Sequence, residues 1–151
     1  MRGVRVDRVI SSGLFCWTGL LAGVSFVATP AKFLAPSLSL PQALDVGRVT
    51  FHVLALIEWG LLAVFAVLLA ASWASNSARR PVAILLLLIG AILAIETFAL
   101  RPPLDARVGA IIAGETVAPN HLHSVYVVLE ALKLLLIASA AIVQGRRNDV
   151  A

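Results

Sequence analysis

Charged side chains are scarce in this chain: Asp, Glu, Lys and Arg together make up 13% of its 151 residues, about half the usual globular share. A chain so poor in charge cannot clothe a water-facing surface of ordinary size. With 60% hydrophobic residues it reads as an integral membrane protein of a single domain. One cysteine, Cys16, excludes an intramolecular disulfide framework and every CxxC redox or zinc motif. Met1 and Cys16 are the only sulfur side chains, and that scarcity of soft ligands argues against copper(I) transfer. There is no Walker loop, no GxGxxG, no GxSxG and no HExxH, so the common nucleotide, hydrolase and zinc-protease signatures are all missing. A formal charge of +4 does not point to nucleic acid. The basic residues stand in small groups at the ends of apolar runs, where they act as membrane-topology signals.

What the chain does have is four apolar runs, over residues 9–28, 49–71, 81–100 and 123–143. Each matches the roughly 20 residues that cross a hydrocarbon core about 30 Å thick. The expected fold is therefore all-α, a four-helix bundle embedded in a lipid bilayer. A signal peptide is the competing reading of the first run, but the run is long for an h-region and Pro30 suits a helix end better than a cleavage site. Four spans place both termini on one side. Arg2, Arg5, Arg8, Arg79, Arg80, Arg146 and Arg147 on that side outweigh Lys32, Arg48, Arg101 and Arg107 on the other, so the termini are expected in the cytoplasm of a cell membrane of the bacterial inner-membrane type. Trp73 then falls in the aromatic belt. In the outer segments, Ser39-Leu40-Pro41 reads as a helix start. Leu104 to Ala113 reads as a short interfacial helix before Gly114.

The two halves also read as two parallel helical hairpins. Pro30 and Pro102 each close an odd-numbered span; His52 follows the first by 22 residues and His123 the second by 21, and Glu58 and Glu130 follow their histidines by six and seven.

An ionisable group at bilayer depth costs at least about 3 kcal/mol, so it normally faces the bundle interior, a cavity or a partner. The candidates here are His52, Glu58, Glu96, Glu130 and Lys133, with His121 and His123 at the outer boundary. Together they are expected to form a polar cluster opening outward. Glu130 and Lys133, three apart on one helix, can neutralise each other. Glu58 and Glu96 lack a local partner; they are either protonated and hydrogen-bonded across the bundle, or they line a cation or proton path. His52 and His123 are the best inter-helix pair, at similar depth on helices two and four. Two facing histidines could ligate a b-type haem, or with a carboxylate hold zinc or copper(II), and His121 and His123 are the candidate metal ligands at the outer boundary. The bland alternative for each is an interfacial or helix-capping histidine. Gly19 with Gly23, and Gly90 with Ala94, form small-xxx-small patterns that permit close helix approach within the chain or in a homo-oligomer.

Thr29-Pro30 with Phe33, the stretch from Arg48 to Glu58, Arg101-Pro-Pro-Leu-Asp105, His121-Leu-His123 and Glu130-Ala-Leu-Lys133 together resemble the transmembrane-protein-205-like domain of unknown function. That group looks related to copper-resistance-D-like membrane proteins and, more distantly, to a haem-dependent protoporphyrinogen oxidase family. The resemblance implies a four-helix membrane domain with polar residues near its outer face, and no defined activity. Three functions stay open: a binding or transport bundle for a cation or small solute, a haem or metal protein with oxidoreductase activity, and an accessory subunit of a larger membrane complex. The sequence favours a non-enzymatic role.

Overall fold

In a computed structural model of the protein, residues 2–71 and 79–148 are described; Trp73, expected in the aromatic belt, lies outside them. Four helices long and apolar enough to cross a membrane cover Val6–Leu34, Leu40–Ala71, Arg80–Ile112 and Leu122–Arg146, and there is no strand among the described residues. The first helix packs most extensively on the fourth, and the fourth on the third.

One stripe per helix builds the core. Ile10, Leu14, Trp17 and Leu21 on the first helix and Val82, Leu86, Ile89 and Leu93 on the third are buried at alternating spacings of three and four residues. This is the narrow seam along which long helices pack side by side. Leu54, Phe65 and Leu69 continue it on the second helix, and Ile137, Ala140 and Ala141 on the fourth. The outward faces carry Leu56, Val67, Leu87 and Leu135, each more than 60% exposed, as a lipid-facing surface should. Lipid offers apolar side chains no less than a core does, so close packing has to hold the bundle together. It does so at Gly13 and Gly90 among the glycines. A Cβ on Gly13 would stand 2.7 Å from Phe65 Cζ, and one on Gly90 3.1 Å from Leu62 Cδ2. By contrast, a Cβ on Gly19 or Gly23 would meet nothing within 4 Å. Gly90 thus stands against the second helix, with Ala94 half-buried on its own helix, while Gly19 and Gly23 lie on an exposed face.

The helices outrun the expected spans. Leu40 does begin the second helix, and Gln42 reaches back over its start: Gln42 Oε1 accepts from the Ser39 backbone N–H at 2.9 Å and from its hydroxyl at 3.0 Å. The third span was expected to stop at Leu100, before Arg101-Pro102-Pro103. Instead the helix runs through both prolines to Ile112, with Gly114 at φ 82° just beyond it. The device that allows this is a π-helical segment, Ile95–Leu100, immediately upstream. A proline removes one backbone donor and its ring clashes with the carbonyl four residues back. A π turn, bonded over five residues, widens the helix just ahead of the prolines and gives their rings room.

The first helix repeats this design. Its π segment, Ala22–Ala28, precedes Pro30, and both the Thr29 N–H and its hydroxyl reach the Val24 carbonyl five residues back, the hydroxyl at 2.8 Å. Ser25-Phe-Val-Ala-Thr-Pro30 aligns with Thr97-Phe-Ala-Leu-Arg-Pro102 at an offset of 72 residues, and the same offset carries Glu58 onto Glu130. The hairpins thus share a π-then-proline first helix and a buried glutamate on the second.

Candidate functional site

The polar residues inside the bundle occupy the core stripe itself. Glu96 takes the place after Leu93 on the third helix; Tyr126, Glu130 and Lys133 precede Ile137 on the fourth; Glu58 lies between Leu54 and Phe65 on the second. Helix geometry thus aims all of them at the bundle axis, and they meet. Lys133 Nζ donates to Glu58 Oε2 at 2.8 Å and to Glu96 Oε2 at 2.6 Å, and stands 3.2 Å from Glu130 Oε2. The Trp17 indole N–H donates to Glu58 Oε1 at 3.1 Å, which brings in the first helix. Tyr126 donates its hydroxyl to Glu130 Oε1 at 3.2 Å. All four helices therefore contribute to one centre, whose members are at most 6% exposed.

The sequence-level pairing of Lys133 with Glu130 is present, but it is the longest of the three contacts. Glu58 and Glu96 do have a cationic partner, supplied from the fourth helix, which local spacing alone could not reveal. The centre also lies deeper than expected. Glu96 is 16 residues from either end of Arg80–Ile112, and Glu58 is 18 residues past Leu40, because both helices extend beyond the apolar runs that defined the spans.

Charge balance decides what this centre can do. With Lys133 charged, neutrality requires one ionised carboxyl and two that carry protons. Glu96 Oε1 is buried without a hydrogen-bond partner, a place for a proton or a donor. The three carboxyls also offer oxygens within 4.8 Å of one another, a hard donor set of the kind divalent cations take. The Lys133 ammonium stands among them, and a metal ion would have to displace it.

A cavity of about 480 Å³ opens between the helix ends opposite the termini, and Glu130 and Tyr126 belong to its lining. The walls are mostly apolar, with Phe51 packed edge-on against Tyr126 at 5.4 Å between ring centroids. Arg101 and Lys32 also line it.

The histidines stand apart from the centre. His52 Nε2 pairs with Asp105 Oδ2 at 2.8 Å, a link between the second helix and the extension of the third. His123 is exposed and lines the cavity, whereas His52 does not; His121 is exposed at the start of the fourth helix. The metal-capable group of three among the described residues contains no histidine. Arg101, one of the basic residues opposite the termini, lies within the third helix and is 9% exposed. Arg79, one of the basic residues on the side of the termini, is buried and donates to Asp7 Oδ1 at 2.8 Å, beside the Gln144 amide at 2.7 Å. Trp17 is the further member of the centre, on the first helix. Its signal was there in the sequence, since it stands on the same stripe as Leu14 and Leu21.

These features define a small multi-pass membrane protein with a buried carboxylate–lysine centre below a cavity. Compared with protein-family models, curated proteins and solved structures, the chain matches none.

Proposed function

We propose that this is a non-enzymatic, solute-binding membrane protein in which the Glu58–Glu96–Glu130–Lys133 centre exchanges a cation, the proton, with the cavity above it. The observation that carries this reading is that Glu130 belongs to both: one carboxyl oxygen faces Lys133 and the residue lines the cavity. Three carboxyls on one ammonium form a group whose charge changes by a whole unit when one proton moves. Water and ions reach it from one end. In a low-dielectric surrounding each such change is felt strongly by whatever occupies the cavity.

The orientation belongs to the same proposal. The cavity opens outward from a cell membrane of the bacterial inner-membrane type, with both termini in the cytoplasm; the arginine excess at the terminal end supports it. Kinship with the transmembrane-protein-205-like group is also part of it, supported by Thr29-Pro30, Arg101-Pro-Pro-Leu-Asp105 and Glu130-Ala-Leu-Lys133. The exposed Gly19 and Gly23 leave a face on which a second copy or a larger complex can pack.

Infrared difference spectroscopy of the protein in nanodiscs, taken across a pH titration, tests the proton claim. The wild type should show a protonated-carboxyl band that changes with pH, and Glu130→Gln should lose or displace it. A wild-type spectrum without such a band removes the proposal.

A further inference from the structure

Arg101 is 9% exposed, lines the cavity and has its Nε buried without a hydrogen-bond partner. No carboxylate pairs with its guanidinium among the described residues. The other charged groups of the lining already have partners: Arg48 with Asp45 at 2.5 Å, Asp105 in a hydrogen bond with His52 Nε2, and Glu130 with Lys133 and Tyr126. A buried guanidinium without a counter-ion is expensive, and an anion in the cavity would relieve that cost.

A second cation is built into the same wall. Lys32 lines the cavity with its ammonium 5.1 Å from the Phe33 ring centroid, and it lies so close over Gly47 that a Cβ there would fall 2.0 Å from Nζ. Glycine at position 47 leaves room for the ammonium. Arg48, Asp105, His123 and Glu130 also line the cavity, and the rest of its wall is largely hydrocarbon and aromatic, with Phe26, Phe51, Leu104, Val108 and Val127. A volume of about 480 Å³ lies within the range of small-molecule sites, which are likewise apolar with a few fixed polar groups.

We infer that the cavity binds an anionic amphiphile, a carboxylate or phosphate head on an apolar body, with the head on Arg101 and Lys32 and the body against the Phe51–Leu104–Val127 wall. Inorganic anions alone would leave most of that wall wet, and an uncharged body would leave Arg101 unpaired. The ligand can come from solution as a free fatty acid or from the bilayer as an acidic phospholipid; the recognition chemistry is shared. The inference deepens the proposal above by naming what occupies the cavity over the proton centre, and the two can fail separately.

The test is equilibrium binding to the full chain in phosphatidylcholine nanodiscs, with labelled dodecanoate, dodecanol, inorganic phosphate and phosphatidylglycerol as probes. Saturable binding of dodecanoate, of phosphatidylglycerol or of both supports the inference and identifies the source. Dodecanol binding as tightly as dodecanoate overturns the role of charge, phosphate binding as tightly overturns the role of the apolar body, and no binding of any probe overturns the site. Arg101→Gln should weaken binding by about tenfold or more, the scale of a charge-assisted hydrogen bond. Gly47→Ala displaces only the flexible end of Lys32, and Leu104→Glu adds a negative charge to a half-buried wall. Both should weaken binding in a protein that still folds, and unchanged affinity in both variants overturns the inference. If dodecanoate fails to bind while the carboxyl band still titrates, the proton centre stands and the ligand claim alone is lost.

Discussion

Lys133 Nζ lies 2.6 Å from Glu96 on a neighbouring helix and 3.2 Å from Glu130 on its own. The tightest contact of the buried centre is thus one between helices, and the ammonium ties the second, third and fourth spans at a point where lipid-soluble side chains alone would give no directional preference.

Removing that ammonium should be costly. Lys133→Met leaves three carboxyls around an apolar side chain and is expected to lower stability by about 3–5 kcal/mol. Lys133→Met combined with Glu58→Gln and Glu96→Gln should recover much of the loss, since amides carry no charge to strand. Reversible unfolding in mixed micelles reads both, and a Lys133→Met protein as stable as the wild type would deny the centre its structural role.

The glycines divide into two kinds. Gly13→Ala forces Phe65 away from its stack on Trp17, whose ring lies 5.9 Å from it and nearly parallel, and should cost about 1–3 kcal/mol. Gly19→Ala and Gly23→Ala should leave monomer unfolding unchanged. If the exposed glycines are a self-association face, the same two substitutions will reduce cross-linked dimer in native membranes while Gly13→Ala will not.

The number and type of helices were legible because apolar runs of spanning length have few other uses, and the centre was legible as a set of residues because charge in such runs is rare. Partnership was not. That Glu58 and Glu96 share Lys133 depends on which faces of three helices meet, and only the core stripe through Leu54, Leu93 and Ile137 encodes it. The end of the third helix is hidden for a local reason: Pro102 and Pro103 read as a stop, yet the helix passes through them after a π segment. The histidines drew attention as the familiar metal and haem ligands, yet the structure sets His52 against Asp105 and leaves His123 at the cavity wall.

At the terminal end, Asp7 accepts from Arg79 and Gln144, joining the first, third and fourth helices. Asp7→Ala should destabilise by about 1–3 kcal/mol. Because Arg79 is buried, added salt should change that penalty little. Thermal unfolding at low and high ionic strength checks both statements; a penalty that vanishes in salt would mark the pair as a surface contact.

The cap of the second helix gives a smaller effect. Ser39→Ala removes the hydroxyl that meets Gln42 and should cost about 1 kcal/mol, showing first as faster amide exchange over the turn that begins at Leu40. Equal exchange in the variant would mean that Pro41 alone fixes that end.

The π segment at Ile95–Leu100 also sets a phase. Along the third helix the inward positions run 82, 86, 89, 93, 96, and the next buried residue is Arg101, five further on, where α-helical spacing would bring Leu100 inward. The segment therefore acts as a one-residue frameshift in azimuth. Everything before it is indexed to the core, and everything after it is turned by about 100° so that a guanidinium meets the cavity. A single deletion there would keep every side chain of the core and every proline, and would still unmake the binding wall by pointing the same residues elsewhere.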